Sequence, residues 1–254
     1  GDWLKTAKIP ADKAATGGFY DLADDIEKTL MEDFANFMTG EAISDDKYLN
    51  EFIKYYRLVS NFEKRNADGF KPAKQYFDKI TSLKDINDWQ EKLYDLTMMG
   101  LPNPFPLYVE PDMKDTQHYA LYASVPSLIL PDKTYYEENH PQAEALLSVY
   151  RQMVLALFER AGYDNDFAQA TLEKALTFDK SLAPVQKDST ERADYAKSYN
   201  KYSFEDYTAF SKSVDLGAFA KKLIGQTPDQ VIVDEPKYYE ALETLINPDT
   251  FENF

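Results

Sequence analysis

The chain has 254 residues, 44% of them hydrophobic and 28% charged, and its 44 acidic against 28 basic side chains leave a net charge of −16. That is apolar enough for a buried core, and the polyanionic balance excludes nucleic acid and anionic membrane as partners. The absence of cysteine excludes disulfides, thiolate nucleophiles and cysteine metal sites, and suits a reducing cytoplasm or a bacterial lineage that does not use disulfides.

The N-terminal GDWLKTAKIPADK lacks the apolar centre of a signal peptide. It opens without Met, with Trp3 and Leu4 at the edge, and the chain stops at INPDTFENF without a charged tail, as expected of a piece of a longer protein. Gly17-Gly18 suits a tight turn or a close backbone approach. Residues 20–38 then carry Leu22, Ile26, Leu30, Phe34 and Phe37 at helical spacing. Residues 44–66 read as one helix about 34 Å long, capped by Ser44, with Leu49, Phe52, Ile53, Tyr56, Val59 and Phe62 on one face. Further helices are expected over 72–82 and 85–98, the latter closed by Gly100 and Pro102.

The pattern then alternates. PFPLYVEPD (104–112) and HYALYASVP (118–126) read as two strands joined by MKDTQ. Helices resume over 141–161, ending at Gly162, and over 164–182. A polar stretch at 184–200 breaks the periodicity. Ser203 to Asp206 has the form of a capping box, VDLGAFAKKLIG gives another helix, VIVDEP (231–236) is a short strand or link, and YYEALETLI is helical. The fold class is therefore mainly α: a multi-helical lobe with one small β-hairpin insertion.

The residue inventory holds no self-sufficient active site. His118 and His140 lie on different elements and lack the H-E-x-x-H spacing of a zinc helix. Dinucleotide loops, phosphate loops and the G-x-S-x-G elbow are absent from the sequence. The adjacent acids Asp24/Asp25 and Glu137/Glu138 fit a solvated face, and Asp164-Asn165-Asp166 fits a helix cap better than a calcium loop. The residues thus predict no catalytic and no metal-ligating side chain in this chain.

One stretch is more specific. Ser127 to Tyr136, SLILPDKTYY, resembles the L-G-L-P-x-R-D-Y-Y signature of the neprilysin family of zinc metallopeptidases, which includes bacterial oligopeptidases of the PepO type. GDWLKTAKIPADKAATGGFYDLADDIE resembles that family's opening, LYVEPDMKDTQHYALYASVPSLILP its strand–turn–strand and L-P, ADYAKSYNKYSFEDY its Y-N-K segment, and DEPKYYEALETLI its extended-then-helix run. These landmarks keep order and spacing over residues 1–246. Leu130, Pro131, Tyr135 and Tyr136 are read as a fold marker, a corner that orients the hairpin against helices, because proline ends strand pairing.

The resemblance implies two mainly helical lobes around a closed cavity. Residues 1–254 would be an incomplete N-terminal, cavity-capping lobe, with residues 1–16 packing on the catalytic lobe. The zinc ligands and substrate-binding segment would lie in that C-terminal lobe, so zinc belongs to the full-length parent and the chain alone is expected to be inactive. There the metal would polarise the scissile carbonyl and activate water. Ala15, Thr16, Phe19 and Ala23 are the expected cavity wall. Ala15 and Ala23 stand where members that release dipeptides carry arginines, which implies endopeptidase action on short peptides. Ile129 and Val125 are milder departures, from glycine and glutamine. The implied partners are short peptides and the parent's own catalytic lobe, and the implied location is the bacterial cytoplasm, with the cell surface or exterior as the alternative. A self-contained α-helical peptide- or solute-binding module is the competing reading.

Overall fold

The structure is a computed structural model describing residues 1–9, 13, 15–39 and 45–254. It divides into two compact units, Gly1–Pro72 and Ala73–Phe254.

The first unit holds α1 (Asp2–Thr6), α2 (Gly18–Thr39), α3 (Lys47–Val59) and α4 (Phe62–Asp68). The helix expected over 44–66 is two helices. Ser44 lies outside the described residues, and Asp46 caps α3 by accepting from the amides of Tyr48 (2.7 Å) and Leu49 (3.2 Å). The break falls at Ser60-Asn61. Asn61 turns its side chain onto the Lys64 amide (2.9 Å) and starts α4, since asparagine competes with the helix for backbone donors. Phe34 of α2 meets Phe52 and Tyr56 of α3 at ring distances of 4.7 and 5.2 Å. The N-terminal half of the α2 stripe finds no such partner: Leu22 and Ile26 are 54% and 52% exposed.

The second unit contains the core. It opens within α5 (Lys71–Thr81), from Ala73 on, and continues with α6 (Ile86–Met98), which Asp85 caps. β1 (Leu107–Asp112) and β2 (Asp115–Ala123) form the expected hairpin, but with a tighter turn. Asp112 pairs with Asp115, leaving only Met113-Lys114 between, and the Asp112 carboxylate accepts from the Lys114 amide at 2.8 Å. Residues 115–117, expected in the loop, are therefore strand. Residues 104–106, expected in the strand, lie outside it, because Pro104 and Pro106 cannot donate to a ladder.

After the long helices α7 (Ala143–Ala161) and α8 (Asn165–Leu182) come the short α9 (Ser189–Arg192), β3 (Asn200–Ser203), α10 (Phe204–Thr208), α11 (Leu216–Ile224), β4 (Gln230–Val233), α12 (Pro236–Glu240) and α13 (Leu242–Leu245). Gly162 ends α7 in the left-handed conformation, φ 84°, as its position in the sequence predicts.

The hairpin is half of a larger sheet. The strand order is β1-β2-β4-β3, with β4 parallel to β2 and antiparallel to β3. One sheet face packs on Trp89, Leu93, Phe105, Leu216, Tyr207, Tyr238 and Tyr239. Many of the aromatic rings thus serve as core, each large ring burying much apolar area. The mainly helical class holds, with four strands in place of two. Among the described residues no helix is long and apolar enough to cross a membrane.

Candidate functional site

The corner motif is a cluster of buried polar contacts. Leu130 is buried and Pro131 exposed. Asp179 of α8, itself buried, accepts the Ile129 amide at 2.8 Å on one oxygen and the Tyr136 hydroxyl on the other. The same hydroxyl accepts from the Leu130 amide at 3.1 Å. Burial pushes the Asp179 carboxyl above the usual carboxylate range, against the pull of Tyr136 and Ile129. Tyr135 turns the other way and lies on the His140 ring, 4.1 Å between centroids. Asp132 accepts the amides of Thr134 (3.0 Å) and Ser189 (2.7 Å), and Lys133 pairs with Glu191. The loop leaving β2 is thus fastened to α8 and α9, and all of these groups are spent on structure.

The expected cavity-wall residues lie at the start of α2. Ala15 and Thr16 are half-buried on the approach. Thr16 donates its hydroxyl to Asp21 (3.1 Å), and Gly17 reaches its φ of 149° at the turn into the helix. Phe19, 88% exposed, and Ala23 follow one turn apart, so they share a helix face. Lys13 pairs with Asp24 at 2.9 Å, and Asp25 with Lys28 at 3.5 Å. Asp24 and Asp25 are therefore ion-paired, and Glu137 and Glu138 are exposed. Asp164 caps α8 through the Phe167 amide.

A buried network not visible in the sequence sits where β4 meets α9. Glu235, 4% exposed, accepts the Lys187 amide at 2.6 Å and Arg192 Nε at 2.9 Å. Gln186 accepts from Arg192 Nη2 (3.0 Å) and donates to the Pro126 carbonyl (2.8 Å). The Lys187 ammonium donates to the carbonyls of Lys197 and Asp234 and to Ser198 Oγ.

The described residues do not fit a zinc site. His118 is an exposed strand residue bonded to Asp115 (2.8 Å), and His140 is occupied with Tyr135. Among the described residues, no group of three or more His, Cys, Asp or Glu side chains could hold a metal ion.

By comparison with known proteins, this helical chain with its small mixed sheet falls in one class: the N-terminal region of a peptidase. The model of the N-terminal part of peptidase family M13 matches residues 1–254, and the chain belongs to that family. The neutral endopeptidase of Lactococcus lactis subsp. cremoris is 35% identical over 251 residues, 98% of this chain and 40% of its own. Two solved structures share the fold: PepO from Lactobacillus rhamnosis (TM-score 0.80, 22% identity, covering 99% of this chain and 40% of that one) and an inhibitor-bound zinc metalloprotease of Mycobacterium tuberculosis (TM-score 0.80, 22% identity, 99% and 39%). The chain thus spans about two-fifths of the length of such relatives.

Proposed function

We propose that residues 1–254 form the N-terminal, substrate-restricting lobe of a two-lobe zinc endopeptidase that hydrolyses short peptides. The observation that carries this reading is a family match across the whole chain that leaves about three-fifths of the related enzyme's length unmatched. Two exposed apolar stripes support it. On α2, Phe19, Leu22 and Ile26 are open, and on α7 Val149, Met153 and Leu157 are 66%, 51% and 49% exposed. Stripes of this size and spacing ask for a covering surface. The remainder of the parent supplies it, and residues 1–16 pack against that catalytic part.

Zinc and its ligands belong to the remainder as well, and no step of the hydrolysis runs through the residues described here. Their work is to wall the chamber. Ala15, Thr16, Phe19 and Ala23 face it, and with alanine at two of these positions no guanidinium there grips a terminal carboxylate. The parent therefore cuts within peptides. These 254 residues hold no cysteine to oxidise, which favours the bacterial cytoplasm for the parent; the cell surface or beyond is the second choice.

The experiment compares the 254-residue chain with the complete parent on quenched fluorescent peptides, with and without a chelator. Chelator-sensitive cleavage by the parent and none by the chain alone is expected. Zinc-dependent cleavage by the purified chain alone would falsify the division of labour.

A further inference from the structure

A cavity of about 470 Å³ opens beside the β1–β2 hairpin, within the range of small-ligand sites. Its floor is aromatic. Tyr108 and Tyr122 are cross-strand partners whose rings stack at 5.1 Å with an interplanar angle of 12°. Its far wall is Asp234, directly after β4, whose carboxylate accepts the Tyr108 hydroxyl at 3.1 and 3.3 Å. Glu110 lines the rim.

The charges around this cavity do not cancel. Arg192 is committed to buried Glu235 and to Gln186, so that pair is neutral as seen from the cavity. Another cation, the Lys187 ammonium, has three donors, and all three go to neutral oxygens, one of them the Asp234 carbonyl. Neither Asp234 nor Glu110 has an ion-pair partner within 4.0 Å among the described residues. Burial pushes the Asp234 carboxyl up and the neighbouring Glu235 adds to the rise, while hydrogen bonds from Tyr108 and Ser124 and the more distant Lys187 charge pull it down, with burial the largest effect. A half-buried carboxylate at the edge of two stacked phenol rings, with no cation within ion-pairing distance among the described residues, is the composition that recognises a guanidinium or ammonium group.

We propose that this cavity binds the cationic side chain of an arginine or lysine in a peptide held by the enzyme. That the ligand is a peptide rests on the endopeptidase reading above; that it is cationic rests on the cavity alone. Asp234 makes the ion pair, and the exposed ring of Tyr108, backed by buried Tyr122, receives the apolar stem and the face of the cation. Arginine is favoured over lysine, because its planar group can lie on a ring and fork to a carboxylate at once.

The test is a binding titration, independent of cleavage and of zinc. Short peptides blocked at both ends, differing only in a central arginine, lysine, citrulline or glutamate, are titrated by calorimetry into the 254-residue chain and into the chelated parent. Citrulline keeps the shape of arginine and removes its charge. The arginine peptide is expected to bind at least about tenfold more tightly than the citrulline peptide to both proteins, with the glutamate peptide weakest. Asp234→Asn should bring arginine down to the citrulline level, while Asp115→Asn, in the hairpin away from this cavity, should leave the ratio unchanged. Equal affinity for arginine and citrulline, or no binding at all, overturns the proposal without any variant having to fold. Binding to the chain that disappears in the parent also overturns it, and assigns the cavity to a side chain of the parent's own remainder. Selective binding with no cleavage by the parent would instead leave the site standing and remove the endopeptidase reading.

Discussion

The Tyr136 hydroxyl donates to the buried carboxylate of Asp179, joining the loop after β2 to a helix that begins many residues later. The bond has a direct thermodynamic consequence. Tyr136→Phe leaves one Asp179 oxygen and the Leu130 amide without their partner, at a cost of about 1–3 kcal/mol. Chemical denaturation of the two proteins should show a lower midpoint with an unchanged slope. An unchanged midpoint would mean that the corner does not hold the fold.

The pH dependence of that site has a definite sign. The folded Asp179 carboxyl lies above its ordinary 3.8, chiefly through burial, so the folded protein holds this proton more tightly than the unfolded chain. The site's contribution to stability falls as pH rises from about 3.8 through the raised folded value. Asp179→Asn should flatten this part of the stability profile. Melting temperatures recorded across the acid range for both proteins measure it.

Glu243 behaves in the opposite sense. The Ser213 hydroxyl (2.7 Å), the amides of Lys212 (2.7 Å) and Ser213 (3.1 Å) and the Ser211 hydroxyl (3.1 Å) all donate to it. They hold its pKa at about 2, against an ordinary 4.5. Its stabilisation is present above pH 4.5 and is lost as pH falls towards 2. Glu243→Gln should cost about 1 kcal/mol at neutral pH and nothing near pH 2, as urea titrations at both values would show.

Three buried tyrosines separate packing from hydrogen bonding. Tyr238 donates to the Pro104 carbonyl at 2.5 Å and Tyr239 to the Ser124 carbonyl at 2.7 Å, whereas the equally buried Tyr207 hydroxyl has no partner among the described residues. Tyr207→Phe should be neutral or stabilising, since it removes a desolvated donor. Tyr239→Phe should cost about 1 kcal/mol. The order of the two melting temperatures is the readout, and the reverse order refutes the assignment.

Ala15 and Ala23 give a prediction for the parent enzyme. Placing arginine at both positions should raise its preference for free-acid peptides over their C-terminal amides about tenfold, because each guanidinium can fork onto a carboxylate. Steady-state rates on matched acid and amide peptides decide the matter. A wild-type parent that already prefers free acids strongly removes the basis of the endopeptidase assignment.

The long periodic helices were legible in the sequence, because α2, α6, α7 and α8 bear apolar residues at helical spacing, with Asp85 and Asp164 capping the starts of α6 and α8 and Gly162 closing α7. The break after Val59 was not, since Leu58, Val59 and Phe62 continue the apolar period and only Asn61 signals a new cap. β3 falls between the polar stretch read at 184–200 and the capping box at Ser203: Asn200-Lys201-Tyr202-Ser203 has little strand character of its own and is recruited by pairing with β4. Asp179 left a readable trace, as a carboxylate within the Leu172, Leu176, Leu182 stripe of α8. Pro131 and the twin tyrosines marked the corner in the sequence, but not the Asp179 carboxylate that the Tyr136 hydroxyl reaches. The Tyr108–Asp234 cavity was not, because its two halves come from strands joined only in three dimensions.

The placement of β4 also dictates when this protein can become itself. The hairpin is available early in synthesis, yet its inner strand must wait for a parallel neighbour encoded near the far end, Leu121 facing Val231 and Ala123 facing Val233. Such distant pairing is slow to close and leaves a sticky ribbon waiting at the ribosome. A nascent chain halted before residue 230 would therefore be a client for chaperones, and any attempt to shorten this half from its C-terminal side meets a hard stop there.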